Sequence, residues 1–158
     1  MKVLNLKIVL IFLLIFSHTA LKSKDFAIIH GNKFKNLKVK TALDFESKKK
    51  GLMNTKTLID YNGMLFVYEK PRIVNMWMYK TYIPLDIIFI GDNGKIILIK
   101  EGIPNTKSLI SSEKKVNAVL EIKKGCAEKL NLKKGNFLSW DFKSLSEIKE
   151  FRYYDCLD

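Results

Sequence analysis

The stretch Asp86-Ile87-Ile88-Phe89-Ile90-Gly91-Asp92-Asn93-Gly94-Lys95-Ile96-Ile97-Leu98-Ile99 decides the fold. Its two arms are rich in β-branched residues, and the four residues between them are turn formers, so they pair as a β-hairpin. Working outward, Gly63 opens Met64-Leu65-Phe66-Val67-Tyr68, an apolar run without a polar face that Lys70-Pro71 closes. Such a run predicts a central strand buried on both sides. Lys38-Val39-Lys40 alternates, placing Leu37, Val39 and Thr41 on one face, which predicts a half-exposed strand over residues 36–43. Asp44 is positioned to cap a short helix through Leu52. Further strands are predicted over 116–122 and 137–142, with a short helix over 125–132 between them. About six or seven short strands at this spacing, with two or three short helices, predict a mainly β, compact sandwich- or barrel-like domain.

With 158 residues, 47% of them hydrophobic, the chain can bury one core of ordinary size, and a single β-rich domain is expected over residues 26–142. The first residues have a separate role. Lys2 and Lys7 precede an unbroken apolar run over 8–16, the length of a signal-peptide core and too short to span ~30 Å of hydrocarbon. Residues 1–21 are therefore predicted to be a signal peptide or an N-terminal anchor. The protein is expected to be exported, periplasmic or extracellular, or held at the inner membrane. Cleavage after Ala20 would place His18 where a small residue is expected, which keeps the uncleaved anchor open. The net charge of +12 comes mostly from lysine, because Arg occurs only at Arg72 and Arg152. Nucleic-acid readers favour the planar arginine fork, so this composition argues against nucleic acid as partner.

Four blocks recur in a fixed order: Gly51-Leu52-Met53, Gly63-Met64-Leu65-Phe66, Met76-Trp77-Met78, and Ile83-Pro84-Leu85-Asp86-Ile87-Ile88-Phe89-Ile90. Ser111-Ser112, Val119-Leu120-Glu121-Ile122, Gly125 through Leu132, and Lys134-Gly135-Asn136 follow. In this order the chain resembles the domain of unknown function 192 family, small exported or membrane-tethered bacterial and archaeal proteins, over residues 36–140. The resemblance implies a mainly β sandwich-like domain and no established reaction. The chain departs from the family where Tyr79-Lys80-Thr81 replaces the usual Lys-Asn-Thr, where Lys50 replaces an Arg, and where Cys126 replaces a small residue.

Catalytic constellations are scarce. His30 is the single imidazole beyond the leader, there is no Gly-x-Ser-x-Gly elbow, and one His with two distant Cys does not supply tetrahedral zinc ligation. No catalytic residue, metal or cofactor is predicted. A polar group set among apolar strands remains: Trp77, Lys80, Thr81, Asp86 and Glu101 as the rim of a binding site. The expected partner is a small molecule, a peptide or an envelope component, with membrane contact only through an uncleaved N-terminus. Asp86 and Glu101 fall at the same open end of the hairpin, so an envelope hydrolase using them as a carboxylate pair is the alternative. Asp86 and Thr81 could equally serve the fold by accepting backbone donors. Cys126 and Cys156 could form one disulfide in an oxidising compartment. Residues 143–158 carry Leu145, Ile148 and Phe151 at helical spacing, which predicts a short helix packed on the domain.

Overall fold

A computed structural model describes residues 24–148. The leader, Cys156 and the last part of the tail lie outside the described residues. Nine strands and three short helices follow one another as β1 (Phe26–Gly31), β2 (Phe34–Ala42), α1 (Phe45–Lys50), β3 (Gly63–Arg72), β4 (Asn75–Met76), β5 (Leu85–Ile90), β6 (Ile96–Gly102), β7 (Ile110–Ser111), β8 (Val116–Lys123), α2 (Cys126–Lys129), β9 (Leu138–Lys143) and α3 (Leu145–Ile148). The mainly β class stands. Seven strands form one mixed sheet in the order β6-β5-β8-β3-β2-β1-β9, and β4 and β7 form a separate two-stranded ribbon. All neighbours are antiparallel except β2 and β3. Parallel neighbours need a crossover, and α1 with the loop after it supplies one.

Local chemistry explains the elements. Asp44 caps α1: its carboxylate accepts from Ser47 N at 2.8 Å, while Asp44 N donates to Ser47 Oγ at 3.2 Å. The hairpin turn at Asp92–Gly94 is a single 3₁₀ turn. Gly94 sits there at φ +76°, and a Cβ on it would lie 1.9 Å from the carbonyl oxygen of Leu138, so no other residue fits.

The sheet buries both of its faces, and two cores result. Ile88, Ile90, Leu120 and Ile122 pack on one face with Ala27, Leu37 and α2. Ile87, Phe89, Val119 and Phe66 pack on the other with Leu52, Met76 and Met78. A half-exposed β5 would leave one of Ile88 and Phe89 in water. Here both are fully buried, on opposite faces. Each such side chain contributes roughly 1.5–3 kcal/mol of transfer free energy. The central placement of β3 is as the apolar run requires.

The sheet curls until its edges meet at one corner, where Lys95 bridges to Phe137 and Ile96 exchanges backbone hydrogen bonds with Asn136 and Gly135, both at 2.8 Å. It is not closed into a barrel. Beyond the expected strands lie β1, β4 and β7. His30 is in β1, with Nε2 3.2 Å from Asp141 Oδ2 on β9.

Candidate functional site at the loop end of the sheet

β3 and β5 begin, and β6 and β8 finish, at one end of the sheet. The loops there are tied together by backbone hydrogen bonds: Asn54 N to Lys80 O (2.7 Å), Tyr82 N to Thr55 O (3.3 Å), Asn105 N to Thr81 O (3.0 Å) and Lys124 N to Pro84 O (3.0 Å). Lys80 holds φ at +54°, a left-handed conformation that costs a non-glycine residue on the order of 1 kcal/mol, and its bond from Asn54 fixes it there. All five sequence-predicted residues fall at this end.

They do not share one face. Asp86 is in register with Glu101 on β6 and Ile122 on β8, so it points to the same side as Ile88 and α2. The Trp77–Thr81 segment covers the other side through Met78, which is fully buried beside Ile87 and Gly102. Trp77 is half exposed, at 46%, and is not the core residue that an alternating strand would make it. Thr81 is buried, with its N–H donating to Met78 O at 3.0 Å.

Asp86 is 6% exposed and its bonding is structural: Oδ2 accepts from Gly125 N and from Ala127 N, both at 2.9 Å. The carboxylate thereby fixes the turn from β8 into α2. Lys124 Nζ stands 3.7 Å from Asp86 Oδ1 and 3.1 Å from Glu101 Oε2. One ammonium therefore serves both carboxylates, and Glu101 first, then Asp86, holds that ammonium above the usual lysine range.

The opposite side of this end is amphipathic. Ile59, Trp77, Tyr82, Ile103 and Leu109 are all exposed. The Trp77 and Tyr79 rings lie 5.6 Å apart, and the ammonium groups of Lys80 and Lys107 each stand 5.3 Å from the Tyr79 ring centre. A shallow groove of about 430 Å³ at the same end of the sheet is lined by Ile59, Ile83 and Pro84 and bordered by Lys56, Lys123 and Lys124, the last of which reaches Asp86 and Glu101.

Sequence reasoning missed Glu121. It lies in the middle of β8, in register with Met64 and Ile87, and is 3% exposed. Burial pushes its carboxyl up to about 8, so it is largely protonated at neutral pH. Its nearness also raises the Tyr68 hydroxyl, which burial and Glu121 together hold at about 12 against the opposing effect of Arg72. No local signal points to it: Asn117, Glu121 and Lys123 alternate with Val116, Ala118, Leu120 and Ile122 as on a half-exposed strand, and Glu121 is buried because the second core, which holds Val119 of the same parity, covers that face.

Among the described residues no group of three or more His, Cys, Asp or Glu side chains is arranged to hold a metal ion. The model of the DUF192 family, described as Uncharacterized ACR, matches residues 27–140. Two solved structures are similar. One, from Sinorhizobium meliloti 1021 and described as a "putative transcription regulator", is 31% identical with a TM-score of 0.67, over 75% of this chain and 95% of that one. The other, a protein of unknown function from Novosphingobium aromaticivorans DSM 12444, is 30% identical with a TM-score of 0.65, over 73% of this chain and 84% of that one. None of the curated proteins matches the chain. The chain belongs to the DUF192 family.

Proposed function

We propose that this chain is an exported, non-catalytic binding domain whose loop end docks on the anionic lipid surface of the cell envelope. The observation that carries the proposal is the pairing of exposed Trp77, Tyr82, Ile59, Ile103 and Leu109 with Lys56, Lys80, Lys107 and Lys123 at one end of the sheet. Trp and Tyr rings favour the headgroup level of a bilayer, and each lysine near an anionic surface contributes about 1 kcal/mol. Asp86, Glu101 and Lys124 together carry one negative charge, which the four lysines Lys56, Lys80, Lys107 and Lys123 outweigh. The sequence left an uncleaved N-terminus as the one membrane contact; the loop end would add a second.

The carboxylate-pair alternative has less support. Asp86 already accepts two backbone N–H bonds, Glu101 is ion-paired, and neither lines the groove at this end. The regulator description of one structural relative is not carried over, since the sequence holds only two arginines, the residue whose planar fork most often reads bases.

Co-sedimentation with vesicles tests the proposal. The full chain and a Trp77→Ser/Leu109→Ser variant share the same N-terminus, so any leader contribution cancels. The wild type is expected to bind phosphatidylglycerol vesicles more than phosphatidylcholine ones and the variant to lose most of that preference. Equal binding by both proteins refutes it.

A further inference from the structure

The aromatic and lysine side chains of the loop end follow a fixed order along the β4–β7 ribbon. Asn75 pairs with Ser111 and Met76 with Ile110. Continued in the same antiparallel direction, that register sets Trp77 opposite Leu109 and Tyr79 opposite Lys107, and the Lys107 ammonium does reach the Tyr79 ring. Val74, Met76 and Met78 turn inward and are buried. Trp77 and Tyr79 therefore turn outward, on the side where Lys107 and Leu109 are exposed.

The Tyr79 ring gathers two like charges. The ammonium groups of Lys80 and Lys107 each stand 5.3 Å from its centre, and among the described residues no carboxylate ion-pairs with either. Lys100 and Lys124, by contrast, each have a glutamate partner. A ring face contributes only about 0.5–1 kcal/mol to an exposed ammonium, so the N–H donors and the mutual repulsion of the pair are left for an anion to meet. The backbone that carries them is set in advance. Lys80 is held at φ +54° with its carbonyl accepting from Asn54 N–H, and the loop before Lys107 is tied to the same segment through Asn105 N and Thr81 O.

We infer that Lys80 and Lys107 hold the phosphate of a phosphomonoester lipid headgroup over Tyr79, while Trp77 and Leu109 enter the acyl boundary beneath it. The inference rests on the docking reading above and narrows it to one class of headgroup. Charge selects the monoester: two ammonium groups without acids match its charge of about −1.5 to −2 at neutral pH, whereas a phosphodiester carries one charge and leaves one ammonium unmatched. Spacing agrees, because two residues of strand cover about 7 Å, inside the ~5–10 Å by which interfacial apolar groups sink below the headgroups.

The test sets the full chain against phosphatidylcholine vesicles carrying either phosphatidic acid or phosphatidylglycerol, matched for surface charge by electrophoretic mobility, at about pH 7.5. Binding to phosphatidic acid is expected to be about fivefold tighter or more. Lys80→Gln/Lys107→Gln is expected to abolish that ratio. Lys114→Gln/Lys115→Gln, which removes the same charge just before β8 at the far end of the sheet, is expected to keep it. At about pH 5 the monoester loses its second charge, and the ratio should fall toward one. Melting curves check that the variants are folded; if the first is not, Lys107→Gln alone replaces it, because Lys107 is exposed. The inference is overturned by equal binding of the two lipids at matched charge, by a ratio that survives in the folded variant or at pH 5, or by a ratio that the control variant loses as well. In each of those cases a preference for phosphatidylglycerol over phosphatidylcholine leaves the docking reading standing, and the absence of that preference removes both. Glycerol 3-phosphate that binds as tightly as the vesicles overturns the lipid assignment, since the ligand is then a soluble phosphomonoester.

Discussion

Replacing Glu121 with Gln should change the pH dependence of stability more than stability itself at acid pH. The carboxyl is held near 8 in the folded chain against an ordinary value of 4.5, with burial as the cause. Below 4.5 both states carry the proton and the burial has no electrostatic cost. As pH rises from 4.5 toward 8 the unfolded chain releases this proton and the native one keeps it, so the native state binds more protons and stability falls. Each unit of separation corresponds to about 1.4 kcal/mol, so the whole window corresponds to about 5 kcal/mol. Gln keeps the shape and polarity of the side chain and cannot ionise. Urea unfolding of both proteins at about pH 5, 6.5 and 8 should therefore give free-energy differences that grow in favour of the variant, from under about 1 kcal/mol to roughly 4 kcal/mol. Comparison with the variant cancels all other titrating groups. If the two stability curves run parallel across that range, Glu121 is not the buried neutral acid described above, and a cation or a path to water must reach it.

Asp86→Asn should lower stability by about 1–3 kcal/mol, because two backbone N–H bonds to one charged oxygen become bonds to a neutral one, whereas Glu101→Gln at an exposed ion pair should be thermally silent; melting curves of both check this. Phe66→Ala empties a site that is 2% exposed at the centre of the sheet and should cost about 3–5 kcal/mol by chemical denaturation. Peptide mapping of the full chain, made in an oxidising compartment and digested without reductant, should show a Cys126–Cys156 crosslink, which on the chain-entropy model stabilises by ~3 kcal/mol; a free thiol at Cys126 would contradict it. Fractionation should place the protein outside the cytoplasm, and a soluble cytoplasmic chain with an intact, protected N-terminus would end the export proposal.

What the sequence made legible was local. The hairpin from Asp86 to Ile99, the capped helix after Asp44 and the central run from Met64 are each specified by residues a few positions apart, and all three are present. What it hid was set at long range. The segment Phe26-Ala27-Ile28-Ile29-His30-Gly31 becomes a strand by pairing with β2 and with β9, and no local turn announces the second partner. Strands β4 and β7 are two residues each, too short for periodicity to register. At the site, Asp86 was recognisable as a backbone acceptor, yet its donors at Gly125 and Ala127 lie some forty residues on, and nothing near Asp86 points to them. Trp77, Lys80, Thr81, Asp86 and Glu101 do lie at one end of the sheet, but the arrangement that sends Asp86 and Trp77 to opposite faces depends on which loop covers which side of the sheet.

The pairing of β1 with β9, which places Phe26 opposite Lys143, has a consequence for the order in which the chain acquires structure. Ala27 and Ile29 line the first core, so that core stays open on one side until the last strand arrives. Closing a loop of that length is slow compared with forming the hairpin, and a ribosome or a translocation channel delivers β1 first and β9 last. For most of its synthesis the chain is thus held short of completion by its own topology. A polypeptide that cannot finish folding before its end emerges remains threadable through a narrow pore, as the proposed export would require.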